Sequence, residues 1–126
     1  MLGDKNIVAF VSTTDFGRAR AFYEGILGLR FKQENEFALV LDANGIVLRI
    51  TKIPVFEPAR FSILGWQVHG IYDLVAKLTG KGIAFEQFGL PHQDETGVWT
   101  APSGDKVAWF KDPDGNILSL SEHVHD

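Results

Sequence analysis

Hydrophobic positions along this chain change period repeatedly, and the changes mark out its elements. Residues 7–11 form a continuous apolar run, too short for a helix and followed by the polar triplet Ser12, Thr13 and Thr14, which predicts a buried strand. Asp15 then occupies an N-cap position. Phe16, Ala19, Tyr23, Ile26 and Leu27 recur at helical spacing, so a helix is predicted whose outer face carries Arg18, Arg20 and Glu24 and whose exit is Gly28. Residues 29–32 read as a short edge strand. Residues 37–41 and 46–51 read as two strands joined by Asp42-Ala43-Asn44-Gly45, where Asn-Gly supplies the positive φ angles of a tight hairpin.

The same order then recurs. Residues 61–68 predict a strand, Ile71, Leu74, Val75 and Leu78 mark one helix face, and Gly80-Lys81-Gly82 closes that helix. A strand is predicted at 83–88; after a long polar loop come residues 98–101, then strands at 107–111 and 117–121 joined by Asp112-Pro113-Asp114-Gly115. Both halves read βαβββ. A shift of 70 positions lays 37–50 on 107–120 with four identities, including the Asp and Gly of the turn, and a shift of 54 lays 28–31 on 82–85. The extra 16 residues of the second half fall in the polar loop around 91–96. A small sheet with one helix leaves its other face uncovered, so the predicted fold is α+β: one domain, 1–126, of two βαβββ modules, 6–57 and 60–122, pairing into a curved mixed sheet that forms a cup. The cup is the expected ligand site.

Composition narrows what the cup can hold. The chain of 126 residues carries 12 basic and 16 acidic side chains, a formal charge of −4, which argues against nucleic acid and anionic membranes as partners. It has no cysteine, so disulfides, thiol catalysis and thiolate metal sites are excluded. Residues 1–6 are short and polar rather than signal-like, and the apolar runs are strand-sized; a cytoplasmic location is expected.

Two motifs then carry a family resemblance: residues 15–29, with Phe22-Tyr23 and Leu27-Gly28, and Phe110-Lys111-Asp112-Pro113-Asp114-Gly115-Asn116 ahead of a strand. Together, inside the repeat and spanning 7–122, they resemble the vicinal oxygen chelate superfamily, the glyoxalase, bleomycin-resistance and extradiol-dioxygenase group. The resemblance implies a dimer of βαβββ modules, and in the enzymes of the family a divalent metal held by His or Glu from the first and last strand of each module. Carried over position by position, those ligands fall on Val8, Arg49, Ile63 and Ser119, none of which is His, Asp or Glu. Valine and isoleucine have no lone pair, arginine is a permanent cation and serine a poor neutral ligand, so no metal and no cofactor are expected.

By strand alternation Val47 and Thr51 flank Arg49, Ile117 and Ser121 flank Ser119, and Phe10, Ser12, Gly65 and Gln67 share the cup face. The expected ligand-binding residues are Arg49, Ser119, Trp99, Phe110, Gln67 and Phe10. Arg49 is read as a clamp for an anionic or carbonyl group, or else as a partner of a carboxylate such as Glu36 or Glu122 or as a snorkelling surface arginine. Trp99 follows a loop suited to a flap, whereas Trp109 reads as core. His123, His125 and Asp126 form a weak metal-like spacing at the carboxyl end, and no acid/base pair or phosphate-binding glycine loop is present.

The function expected is metal-free binding of an apolar or amphipathic small molecule by a homodimer, similar to the drug-sequestering members of the family. The alternatives are a metal-dependent lyase, isomerase, dioxygenase or thiol transferase using His69 or His92 with Glu122, and a structural or partner-binding dimer.

Overall fold

A computed structural model describes residues 1–125. The chain divides into two compact units, Met1–Glu57 and Pro58 onward, and each has the expected α+β make-up with a four-stranded mixed sheet.

In the first unit β1 (Val8–Thr13), β2 (Arg30–Glu34), β3 (Ala38–Ala43) and β4 (Ile46–Lys52) lie in the order β1-β4-β3-β2, with β1 parallel to β4 and the other pairs antiparallel. The helix begins where Asp15 caps it: its backbone is extended and its carboxylate accepts the Arg18 N–H at 3.0 Å. Helix α1 (Phe16–Arg20) does not run on in α form to Gly28, as the spacing predicted. It widens into a π-helical stretch over Ala21–Ile26, with the Leu27 N–H donating to the Phe22 carbonyl at 3.0 Å. The wider turn seats two successive large rings, Phe22 and Tyr23, against the sheet, their centroids 5.1 Å apart and nearly perpendicular. Gly28 ends the segment at φ 81°. Val11, Leu39, Leu41, Leu48 and Ile50 meet these rings on one sheet face, and the Arg20 guanidinium lies 3.6 Å above the Phe31 ring.

In the second unit β5 (Ser62–Gln67), α2 (Ile71–Gly80), β6 (Trp99–Thr100), β7 (Lys106–Lys111) and β8 (Ile117–Glu122) give the sheet order β5-β8-β7-β6. The core is Ile71, Val75 and Leu78 of α2 against Ala108, Phe110, Leu118 and Leu120. Helix α2 starts at Gly70, which has no side chain to cap with. The Glu122 carboxylate does so from the last strand, accepting the Gly70 and Ile71 N–H groups at 3.1 and 3.0 Å. These backbone N–H groups, Ile71 first and then Gly70, hold the Glu122 carboxyl below its ordinary value.

The predicted strand at 83–88 is replaced by an irregular segment. It touches β7 through a bridge from Phe85 to Phe110 and a 2.8 Å hydrogen bond from the Glu86 N–H to the Trp109 carbonyl. Further along, Trp99–Thr100 pairs with the same strand at Val107 and Lys106. The inserted loop therefore interrupts the edge strand and divides its pairing between two segments. No helix among the described residues is long and apolar enough to cross a membrane.

Candidate functional site

Each sheet has one face on its helix and one turned away, and the pairing registers place side chains on this far face. In the first unit Phe10, Arg49 and Val40 stand side by side across β1, β4 and β3. The row below is Val8, Val47 and Asp42, and the row above is Ser12, Thr51 and Ala38. Phe10 is 62% exposed and Arg49 half-buried. The Arg49 side chain has no hydrogen bond or ion pair among the described residues, Glu36 of the same unit included; the Glu122 oxygens accept from the Gly70 and Ile71 N–H groups. Asp42, one row away, is 3.9 Å from Arg30, itself largely exposed.

In the second unit the far face carries Gly65, Ser119 and Trp109 side by side across β5, β8 and β7. Gln67, Ser121 and Val107 form the next row, which Trp99 of β6 extends. Trp109 lies between two further rings, 5.3 Å from Phe88 and 6.2 Å from Trp99. Strand β5 bulges at Ile63, between Ser62 and Leu64. Ser62 rather than Ile63 therefore reaches the Ser119 position, its hydroxyl donating to the Ser119 hydroxyl at 2.8 Å.

Two expectations change here. Phe110, predicted to face the ligand, is fully buried on the helix side, pairs with Leu118 and packs 5.4 Å from the Phe85 ring; Trp109, predicted as core, takes the far face. The 70-residue shift treats the two turns as equal in length, and they are not. Ala43 pairs with Ile46 across Asn44-Gly45, whereas Asp112 bonds Asn116 across Pro113-Asp114-Gly115. One extra residue moves every side chain of β7 to the other face relative to the alignment. Trp109 and Ser62 are the far-face residues the sequence reading missed, and Pro113 was the clue to the first.

The loop after Gly89 is also not a free flap. Asp94 accepts from the Tyr72 hydroxyl on α2 at 2.9 Å, from the Thr96 hydroxyl and N–H, and from the Val98 N–H. Gln93 donates to the Glu86 and Gly97 carbonyls and accepts from the Phe88 N–H, each at 3.0 Å. Burial pushes the Asp94 carboxyl up, but hydrogen bonds from Thr96, Tyr72 and Val98 outweigh it and hold the group below its usual value. The hydrogen bond to Asp94 in turn pushes the Tyr72 hydroxyl up. The loop is thus pinned to the helix side of its unit. A hollow of about 580 Å³ opens there, lined by Tyr72, Ala76, Thr79, Phe85 and Thr96, none of them an expected site residue.

The sequence of residues 7–120 matches the family model described as Glyoxalase/Bleomycin resistance protein/Dioxygenase superfamily. The chain belongs to this superfamily. Solved structures of 14–23% identity share its fold. A member from Sphaerobacter thermophilus superposes with a TM-score of 0.75 at 20% identity, covering 98% of this chain and 100% of that one. A glyoxalase family protein from Enterococcus faecalis gives 0.73 at 22% identity over 97% and 100%. A lactoylglutathione lyase from Agrobacterium tumefaciens gives 0.74 at 14% identity over 97% and 96%. No curated protein matches the sequence.

The glyoxalase-superfamily metal does not fit the donors present. On the first unit the positions in question hold Val8 and Arg49, an apolar side chain and a permanent cation; on the second they hold the neutral hydroxyls of Ser62 and Ser119. Among the described residues no three His, Asp or Glu side chains cluster as metal ligands. Both Glu122 oxygens cap α2, and His123 is exposed with its Nε2 3.0 Å from the Ser121 hydroxyl. Asp126, the third member of the carboxyl-terminal spacing, lies outside the described residues.

Proposed function

We propose that this superfamily member is a cytoplasmic, homodimeric small-molecule-binding protein that holds an apolar or amphipathic ligand without a metal. Arg49 carries this reading: a permanent cation, half-buried between Phe10 and Val40, with no side-chain partner among the described residues. A guanidinium in that position has lost part of its hydration, so a ligand carboxylate, phosphate or polarised carbonyl that accepts its planar fork restores what burial removed. Phe10, Val8 and Val47 around it suit the apolar body of the same ligand.

The donor chemistry of Val8, Arg49, Ser62 and Ser119 supports the absence of metal from the reading. The single-domain organisation, with modules 6–57 and 60–122, belongs to the same proposal. So does the homodimer, which the unpaired edges of both four-stranded sheets support.

The test uses 1-naphthoate and its neutral counterpart 1-naphthalenemethanol. Saturating naphthoate is expected to raise the Tm by several degrees. Arg49→Ala is expected to weaken naphthoate about ten-fold or more and to leave the alcohol unchanged. Equal naphthoate affinity in the variant, or tight stoichiometric metal in the purified protein, overturns the proposal. A 14.0 kDa species in light scattering overturns the dimer.

A further inference from the structure

The far face of the second unit carries a second recognition device whose parts point to a particular ligand chemistry. Ser119 stands between Trp109 on one neighbouring strand and Gly65 on the other. Ser62 donates to the Ser119 hydroxyl at 2.8 Å, in preference to the Leu64 carbonyl at 3.4 Å. Accepting in this pair, the Ser119 hydroxyl has a proton with no acceptor among the described residues. Gly65 is what lets the hydroxyl sit there: a Cβ at that position would come within 2.6 Å of the Ser119 Oγ. The bulge at Ile63 brings Ser62 into the pair. Beside this lone donor lies the Trp109 ring, braced by Phe88 and Trp99 and half-buried rather than sealed in the core. An indole of this kind offers an apolar π-surface, and a hydroxyl one strand away, about 5 Å across the sheet, is within reach of a substituent on a stacked ring.

We propose that this face takes a planar aromatic ring bearing a carbonyl, the ring stacked on Trp109 and the carbonyl oxygen accepting from the Ser119 hydroxyl. This rests on the reading that the protein binds small molecules, but it uses neither Arg49 nor a charged ligand. It makes the preferred ligand class a carbonyl-bearing arene, and it assigns Ser62 and Gly65 as positioning residues that act through Ser119.

Coumarin, which is planar, neutral and carbonyl-bearing, and naphthalene, planar without an acceptor, separate the two contributions when followed by tryptophan fluorescence and isothermal titration. Ser119→Ala is expected to weaken coumarin about ten-fold and leave naphthalene unchanged. Gly65→Ala, by displacing the same hydroxyl, is expected to reproduce that pattern while leaving the Trp109 surface intact. Trp109→Leu is expected to weaken both probes, with Trp109→Phe between it and the parent protein should the leucine variant not fold. Loss of naphthoate binding in Arg49→Ala, together with unchanged coumarin affinity in both Ser119→Ala and Gly65→Ala, overturns this inference and leaves the proposed function standing. Failure of the parent protein to bind coumarin overturns it as well.

Discussion

The hairpins β3–β4 and β7–β8 occupy the same place in their sheets and align with an Asp and a Gly in common, yet they present different residues to the same face. In the first, Asn44 and Gly45 turn the chain at φ 53° and 90° with no residue to spare. In the second, Pro113, Asp114 and Gly115 turn it inside a cradle built by Asp112. Its Oδ1 accepts the Asp114 and Asn116 N–H groups and its Oδ2 the Asn116 side-chain amide, each at 2.9 Å. The aligned Asp42 has only a 3.9 Å approach to the exposed Arg30. One residue of loop thus decides whether an aspartate organises a turn or sits on a surface, and whether a tryptophan or a phenylalanine looks away from the helix. Matching turn composition is weaker evidence of equivalence than matching turn length.

The sharpest way to break this comparison is at Trp109 and Phe110. Phe110→Ala is expected to cost about 3–5 kcal/mol in denaturant unfolding, since it empties a fully buried ring site; Trp109→Ala is expected to cost no more than about half as much. Equal costs would mean that β7 does not hold the phase described. The aspartates come next. Asp112→Ala leaves three donors at a buried turn without their acceptor and is expected to cost about 2–3 kcal/mol. Asp42→Ala is expected to stay within about 0.5 kcal/mol, and a larger loss in the same unfolding assay would give the Arg30 pair a weight that its exposure does not support.

The smallest effect concerns the helix starts. Asp15 caps α1 from the adjacent position, its carboxyl lowered by the Arg18 N–H foremost, whereas Glu122 caps α2 from the far end of the unit, lowered by the Ile71 and Gly70 N–H groups. Both folded pKa values lie below their unfolded ones. Each contribution is therefore complete above the ordinary carboxylate value and is lost as pH falls through the folded one. Tm measured from pH 7 down to pH 3 is expected to fall for the parent protein. Glu122→Gln is expected to lower the Tm at pH 7 and flatten the fall. Asp15→Asn is expected to lower the Tm at pH 7 less, because asparagine caps nearly as well. Equal losses of Tm at pH 7 in the two variants would show that the distant cap is no different from the local one.

Much of this fold was legible along the chain because local rules are strong where they act. Asp15 as a cap, Asn44-Gly45 as a tight turn and the alternation that buries Leu39, Leu41, Leu48 and Ile50 follow from neighbours a few residues away. The Arg49 position was legible for the same reason, since β4 runs straight out of a turn of unambiguous length. Residues 83–88 have the composition of a strand, but the partner edge of β7 is shared with Trp99–Thr100, and the pinned loop keeps the segment from full pairing. Glu122 carried no mark of a helix cap, because its partners at Gly70 and Ile71 are about fifty residues away.

The amino-acid sequence by itself determined the repeat, the order of elements outside residues 83–88, the absence of cysteine chemistry and the membership that its two motifs signalled. Only the tertiary structure decided which ring of Trp109 and Phe110 leaves the core, that Ser62 rather than Ile63 meets Ser119, and that Glu122 caps α2. Alternation within a strand sets which residues go together, but the side of the sheet they take is set by pairing with the next strand. A single added turn residue or bulge reverses that choice while leaving the local pattern unchanged.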